Sequence, residues 1–164
     1  MHNPEQLLLT VLNSTPVVDG TATDQMTGSD AEQLLLSLGG TGQDQERKVV
    51  ISVRDALQGI VRGNRDGLAV IASALGPVTR KPIVSEGGIS WDLQAPSHLE
   101  LASRVVLAWS DVTQQLPGRL RPCGNDECQL FLVDHSRPGT AKWCSMATCG
   151  NRMKARAHLQ RQRS

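Results

Sequence analysis

All four cysteines of the chain lie in its last third, where they form two close pairs. Cys123 and Cys128 make the first pair, Cys144 and Cys149 the second, with four residues inside each pair and fifteen between the pairs. In such an arrangement each pair forms a tight turn, and the connecting loop brings the two turns around one tetrahedral ion. The sequence therefore predicts one structural zinc ion held by these four thiolates.

Other interpretations of the cysteines compete with zinc. Two disulfides would need an oxidising compartment, but the first ten residues lack the basic start of a signal peptide, and we expect a cytoplasmic protein. A redox pair of the thioredoxin type needs C-x-x-C, which is absent. Unrelated core cysteines would seldom cluster in this way. An iron–sulfur site is the strongest rival, because it also takes four thiolates.

The residues around the second pair resemble those of a known family. Residues 143–146 read WCSM, residues 149–152 read CGNR, and Lys154 follows after one intervening residue. This pattern resembles the signature of the CGNR zinc finger family. The loop between the cysteine pairs is similar to that family at four positions: Phe131, Asp134, Ser136 and Arg137. The resemblance implies a stress-induced regulator of transcription, in which a helical region called the ABATE domain precedes the zinc finger.

Positive charge is concentrated around the cysteines. The whole chain has 17 basic and 16 acidic residues. Residues 119–164 contain nine basic and three acidic residues, a net charge of +6, which leaves eight basic and thirteen acidic residues, a net charge of −5, for residues 1–118. An acidic body with a basic tail predicts that the tail meets a polyanion. The alternative is a solvated basic helix whose charge partly balances the zinc tetrathiolate.

A basic helix is predicted from Met146 to about Gln162, with Ser145 at its N-cap. Its basic side chains fall on one stripe, Arg152, Arg156 and Arg163, and on a neighbouring stripe, Lys154, His158 and Arg161. The candidate nucleic-acid contacts are Asn151, Arg152, Lys154, Arg156, Arg161 and Arg163. Asn151 has the alternative of bonding the backbone near the second cysteine pair. We expect DNA as the polyanion, and RNA remains open.

Inside the finger, the sequence predicts a short strand at residues 130–133 and a return strand at residues 142–143. Phe131 and Trp143 are expected to form its small core, and for Trp143 packing is favoured over stacking on a base. The predicted inward face of the basic helix carries Met153 and Leu159.

The first 118 residues are predicted to form a separate domain that is mainly helical. The chain has three tryptophans, one phenylalanine and no tyrosine, so its core must come from aliphatic residues, which suits helices. A β-hairpin is expected near residues 82–93, and Pro117–Gly118 marks the boundary with the finger at 119–164. Two capping boxes, Ser29 with Glu32 and Ser97 with Glu100, are predicted. Five helices are expected to begin near Asn3, Ser29, Asp44, Asp66 and Ser97.

These patterns favour a binding protein over an enzyme. A zinc ion with four cysteine ligands has no open position for a reactive water, and the chain has no phosphate-binding or nucleophile motif. The leading hypothesis is a transcription regulator whose zinc-stabilised basic module contacts DNA, while the helical domain binds a small ligand or a protein partner. The alternatives are a protein-interaction adaptor with a purely structural zinc module, and RNA binding. No apolar run reaches membrane-spanning length.

Overall fold

The computed structural model describes residues 3–162, which form a mainly α fold, as predicted, together with three small antiparallel sheets. None of the helices within this range has the length and apolarity needed to cross a bilayer. The strand pairs are β1 Val17–Val18 with β2 Thr21–Ala22, β3 Thr79–Ser85 with β4 Gly88–Gln94, and β5 Leu120–Pro122 with β6 Phe131–Val133. The helices are α1 Pro4–Leu12, α2 Ala31–Ser37, α3 Asp44–Val61, α4 Gly67–Leu75, α5 Ser97–Gln115 and α6 Asn151–Gln162, and a π-helix, Met146–Gly150, leads directly into α6.

Helices α1, α3 and α5 pack together around the main core. The start of α1 is as predicted, because Pro4 is its first residue and the Asn3 side chain accepts a hydrogen bond from the backbone N–H of Glu5 at 3.0 Å. Apolar residues three and four positions apart point inward from each helix, since that spacing places them on one face. The fully buried centre of this core includes Leu8, Leu12, Val50, Leu57 and Val105.

The two predicted capping boxes are wrong. Helix α2 begins at Ala31 after Asp30, and the hydroxyl of Ser29 donates to the Asp30 side chain at 3.2 Å instead of capping the helix. Ser97 is already the first residue of α5, because Pro96, with an extended ψ of 142°, occupies the cap position. The pattern of Ser or Thr followed by Glu identifies a helix start to within a residue or two, but it does not identify the capping residue.

Helix α4 is more exposed than its composition suggests. The helix carries the apolar residues Leu68, Val70, Ile71, Ala72 and Leu75, but only Ile71 is buried, and Leu68 is 45% exposed. The helix crosses α3 closely through Gly67, where an added Cβ would lie 2.7 Å from the carbonyl oxygen of Ala56. Ala74 and Leu75 are half-buried against the core, whereas Leu68, Val70 and Ala72 are exposed to solvent.

The predicted β-hairpin is confirmed, and each of its strands is longer than expected. Its register pairs Pro82 with Trp91 and Val84 with Ile89, so these four residues share one face. That face is largely uncovered, with Val84 80% and Trp91 61% exposed. The hairpin therefore projects an apolar surface from the helical body.

A buried arginine ties the loop after α1 to α3. Arg54 is only 2% exposed, and its guanidinium binds both carboxylate oxygens of Asp24 at 2.8 and 2.9 Å. It also donates to Ser14 at 3.1 Å and to Asp55 at 2.9 Å. The hydrogen bonds from Arg54 hold the pKa of Asp24 below its ordinary value. The hydrogen bonds of the buried Arg54 guanidinium thus fix the loop between α1 and α2.

The strand β6 joins the finger to the helical body. Phe131 is 1% exposed and lies in the main hydrophobic core. The Asn13 side chain pairs with its backbone, accepting from the Phe131 N–H at 2.7 Å and donating to its carbonyl at 3.2 Å. The guanidinium of Arg62 lies over the Phe131 ring, 4.5 Å from its centre. The prediction that Phe131 and Trp143 form a separate small core is therefore wrong, because Phe131 is buried among the helices.

The strand partner of β6 also differs from the sequence expectation. Phe131 to Val133 form a strand as predicted, but they pair with Leu120–Pro122 and not with residues 142–143. The segment just after α5 lies beside β6, and β6 itself packs against α1, with Phe131 in the core shared with the helices. The division of the chain into residues 1–118 and 119–164 remains a prediction, and a shared hydrophobic core spans that boundary.

Candidate metal centre

The four cysteine sulfurs meet at one point, as the spacing predicted. All four Sγ atoms lie within 4.8 Å of one another. The Sγ of Cys144 lies 3.7 Å from that of Cys128 and 3.7 Å from that of Cys149. Sulfurs bound to one zinc ion at about 2.3 Å in a tetrahedron lie about 3.8 Å apart. A disulfide would need a separation of about 2.05 Å, and a cluster of several iron atoms would spread the sulfurs further apart.

The surroundings of the sulfurs also fit a bound cation. Cys123 and Cys149 are buried, and Cys128 and Cys144 are half-buried. Burial raises the pKa of the Cys128 and Cys144 thiols, because a buried thiolate loses its hydration. A divalent ion supplies the charge that would stabilise these thiolates, and four soft sulfur donors in this geometry suit zinc. The donor set therefore fits one structural zinc ion.

Backbone hydrogen bonds shape the turn that carries the first pair. The N–H of Cys123 donates to Leu130 O at 2.8 Å, and the N–H of Cys128 donates to Asn125 O at 2.8 Å. The N–H of Gly124 donates to Lys142 O at 2.7 Å, which brings the approach to the second pair alongside the first turn. An added Cβ at Gly124 would lie 3.1 Å from the Lys142 carbonyl oxygen, so glycine allows this close contact.

The second pair is placed by the π-helix rather than by an ordinary α-helical first turn. The N–H of Gly150 bonds to Ser145 O, five residues back, at 2.9 Å, and Ser145 occupies the N-cap position as predicted. Trp143 lies between the two turns, because added Cβ atoms at Gly124 and Gly150 would meet its ring at 3.3 and 3.2 Å. Packing is thus the role of Trp143, as expected.

Asn125 supports the metal centre, a role that the sequence analysis missed. Its side chain is fully buried, and its Nδ2 donates to the Sγ of Cys149 at 3.4 Å. Its Oδ1 accepts from the N–H of Glu127 at 3.3 Å, which fixes the orientation of the amide. Burial alone would raise the pKa of Cys149, but the hydrogen bonds from Asn125 and the neighbouring thiols outweigh burial and lower it. The sequence suggested only a tight turn at Asn125.

We expect Asn125→Ala to weaken zinc binding by about 10- to 100-fold, the usual cost of removing a side chain that orients a metal ligand. The thiolate of Cys149 would lose its donor, and the backbone of the turn would lose its acceptor. Competition with a chromogenic chelator measures the affinity. Asn151→Ala is the matched control, since its side chain bonds only to Ala147 O, at 3.3 Å, among the contacts of the described residues. Equal zinc affinities for the two variants would contradict this role.

A buried aspartate organises the loop between the cysteine pairs. Asp134 is 1% exposed, and its side chain accepts from the N–H of Ser136 at 2.8 Å and from that of Ala141 at 3.1 Å. It also forms ion pairs with Arg119 and Arg121. The hydrogen bonds from Ser136 lower the pKa of Asp134. Two of the nine basic residues of segment 119–164 are therefore paired with Asp134. In the sequence, only the family resemblance had singled out Asp134.

Helix α6 extends into solvent, and none of its described residues is buried. The predicted inward face is wrong for Leu159, which is 53% exposed, whereas Met153 is half-buried. The structure brings the candidate contacts Asn151, Arg152, Lys154, Arg156 and Arg161 onto this one helix, and Arg163 lies outside the described residues. The two basic stripes were predicted to be neighbours, but they lie on opposite sides of α6. Residues two positions apart, such as Arg152 and Lys154, are about 200° apart around an α-helix.

The fold and the site together define a helical protein with a four-cysteine zinc-finger module near its C-terminus. The model of the CGNR zinc finger family matches residues 119–162, the segment that contains all four cysteines. This confirms the resemblance and supports zinc as the ion. The match does not extend over residues 1–118, so the likeness of that region to an ABATE domain remains a prediction. No curated protein matches the chain.

Proposed function

We propose that this protein is a DNA-binding regulator of transcription, in which the zinc centre holds α6 against the finger and α6 contacts the phosphate backbone. The observation that carries the proposal is a helix with four basic residues, no acidic residue and no buried side chain, anchored at its start by Cys149. Phosphate groups are the partners that such a helix suits. The π-helix connects the metal centre directly to α6, because Cys149 and Gly150 are buried just before α6 begins.

The negative charge of the helical body supports a model in which only the finger contacts DNA. Residues 1–118 carry a net charge of −5, so they would be repelled by a polyanion and would orient the basic end toward it. In this proposal the helical body binds a small ligand or a protein partner, and the protein is not an enzyme, because four thiolates would fill the coordination sphere of zinc. A cytoplasmic location would keep the cysteines reduced.

Fluorescence anisotropy with a random DNA duplex tests the proposal. We expect the zinc-loaded protein to bind with an affinity that falls steeply as salt rises, because phosphate contacts release counterions. A variant in which Arg152, Lys154, Arg156 and Arg161 are all glutamine should lose this binding while it keeps its zinc. Binding that is independent of salt, or unchanged in this variant, would contradict the proposal. A competing RNA duplex, if it displaced the DNA at equal concentration, would favour RNA as the polyanion.

A second candidate function is that of a protein-interaction adaptor. The apolar face of the β3–β4 hairpin, with Val84 80% and Ile89 66% exposed, favours it, because an isolated two-stranded hairpin is marginally stable in water. The anisotropy experiment separates the two functions. If the protein does not bind DNA even at low salt, the adaptor function is favoured and the hairpin becomes the surface to test.

A further inference from the structure

The two sets of basic residues on α6 face in opposite directions. At about 100° per residue, Arg156 lies about 40° from Arg152, whereas Lys154 lies about 200° and Arg161 about 180° from Arg152. We call the side with Arg152 and Arg156 the inner face and the side with Lys154 and Arg161 the outer face. Each face has the same charge, so charge alone does not decide which one meets a ligand.

The inner face is turned toward acidic groups of the chain itself. The guanidinium of Arg156 binds Glu127 at 2.6 Å, within the turn of the first cysteine pair. Arg152 lines a cavity of about 760 Å³ whose wall also contains Asp19, Asp126 and Glu127. Three of the four cysteines line the same cavity, and with zinc bound their thiolates add negative charge. A phosphate that approached this face would meet several negative groups.

The outer face forms no ion pair with an acidic residue of the described range 3–162. Lys154 and Arg161 are exposed, and neither forms an ion pair or a side-chain hydrogen bond with another residue of the described range 3–162. His158, on the same side, pairs with Gln162 at 3.0 Å, within the helix. Lys154 and Arg161 are seven positions apart, which separates them by about 10 Å along the helix, so each can meet a different phosphate.

We infer that α6 binds the DNA backbone through its outer face, with Lys154 and Arg161 as the phosphate contacts, and that Arg156 positions the helix by pairing with Glu127. This inference rests on the proposed DNA binding and specifies the surface that performs it. The ion pair between Arg156 and Glu127 is exposed and contributes little to stability, but it orients the helix so that the outer face points away from the finger's own carboxylates.

Two double variants of the same helix test the inference. Lys154→Gln with Arg161→Gln removes two charges from the outer face, and Arg152→Gln with Arg156→Gln removes two from the inner face. Each is titrated with a random DNA duplex across a range of salt concentrations, and zinc content and circular dichroism verify that both keep the finger folded. We expect the outer-face variant to lower the slope of log affinity against log salt by about 1.8, since each phosphate contact contributes about 0.9.

The inner-face variant is expected to change that slope by less than about 0.5, because its two arginines already have acidic neighbours in the chain. An equal decrease of the salt slope in the two variants would overturn the inference, since the helix would then act only through its total charge. A larger loss in the inner-face variant would overturn it as well. In both cases the wild type still binds DNA, so the proposed function survives, whereas a wild type that binds no duplex at low salt refutes both.

Discussion

Cys144→Ser is expected to release zinc and unfold the finger. The Sγ of Cys144 lies 3.7 Å from two of the other three sulfurs, so its loss leaves an open side of the tetrahedron. Zinc binding supplies about 10–16 kcal/mol of apparent folding free energy to small zinc fingers near neutral pH. Few apolar contacts are available to replace it, because Phe131 packs in the helical core and Trp143 packs on the metal-binding turns themselves.

Metal content and unfolding, measured on the same sample, check this prediction. Elemental analysis after dialysis against a weak chelator should find about one zinc ion per wild-type chain and almost none in the variant. Ser145→Ala is the control, since Ser145 is the next residue and its side chain makes no capping hydrogen bond. It should retain zinc. A Cys144→Ser protein that kept its zinc ion and its unfolding midpoint would show that the cysteines are not a metal centre.

The metal centre could be predicted from the sequence because it depends on residue type and short-range spacing. Two cysteine pairs define a tetrahedral site almost independently of the rest of the fold. The start of α1 could be predicted for a similar reason, since it depends only on neighbouring residues. Asn3 caps the helix with its side chain, and Pro4 has a preset backbone angle. Helix α3 followed from apolar spacings of three and four, and the hairpin followed from two short apolar runs on either side of a turn that contains two glycines.

The features that were missed depend on long-range contacts. Nothing near Phe131 in the sequence shows that Asn13, more than a hundred positions away, completes its backbone hydrogen bonds. The strand partner of β6 was also missed, because Leu120–Pro122 and residues 142–143 are equally close to β6 in sequence and the choice between them depends on packing. The roles of Asn125 and Arg156 also depend on where the first cysteine turn lies relative to α6. The composition of α6 correctly predicted its positive charge. It could not show which face of the helix lies against acidic residues of the chain.

A second large effect on stability is expected at Phe131, because this residue lies in the finger segment of the chain but packs in the hydrophobic core of the helical body. Phe131→Ala is expected to reduce the free energy of unfolding by about 3–5 kcal/mol, the usual cost of removing a large buried ring. The ring is 1% exposed among the helices, and its removal also takes away the surface beneath the Arg62 guanidinium. Because β6 links the metal centre to α1 and α3, the helical body and the finger should be destabilised together.

Denaturant titration followed by two probes measures that coupling. Far-ultraviolet circular dichroism reports the helical body, and a chromogenic chelator reports release of zinc from the finger. Both midpoints should move to lower denaturant in Phe131→Ala and should remain coincident, because one hydrophobic core serves both parts. Leu159→Ala is the matched control, since this side chain is 53% exposed on α6 and its removal should change stability by less than about 0.5 kcal/mol. Zinc release that shifts while the helical transition does not would instead establish two independently stable domains divided near residue 118.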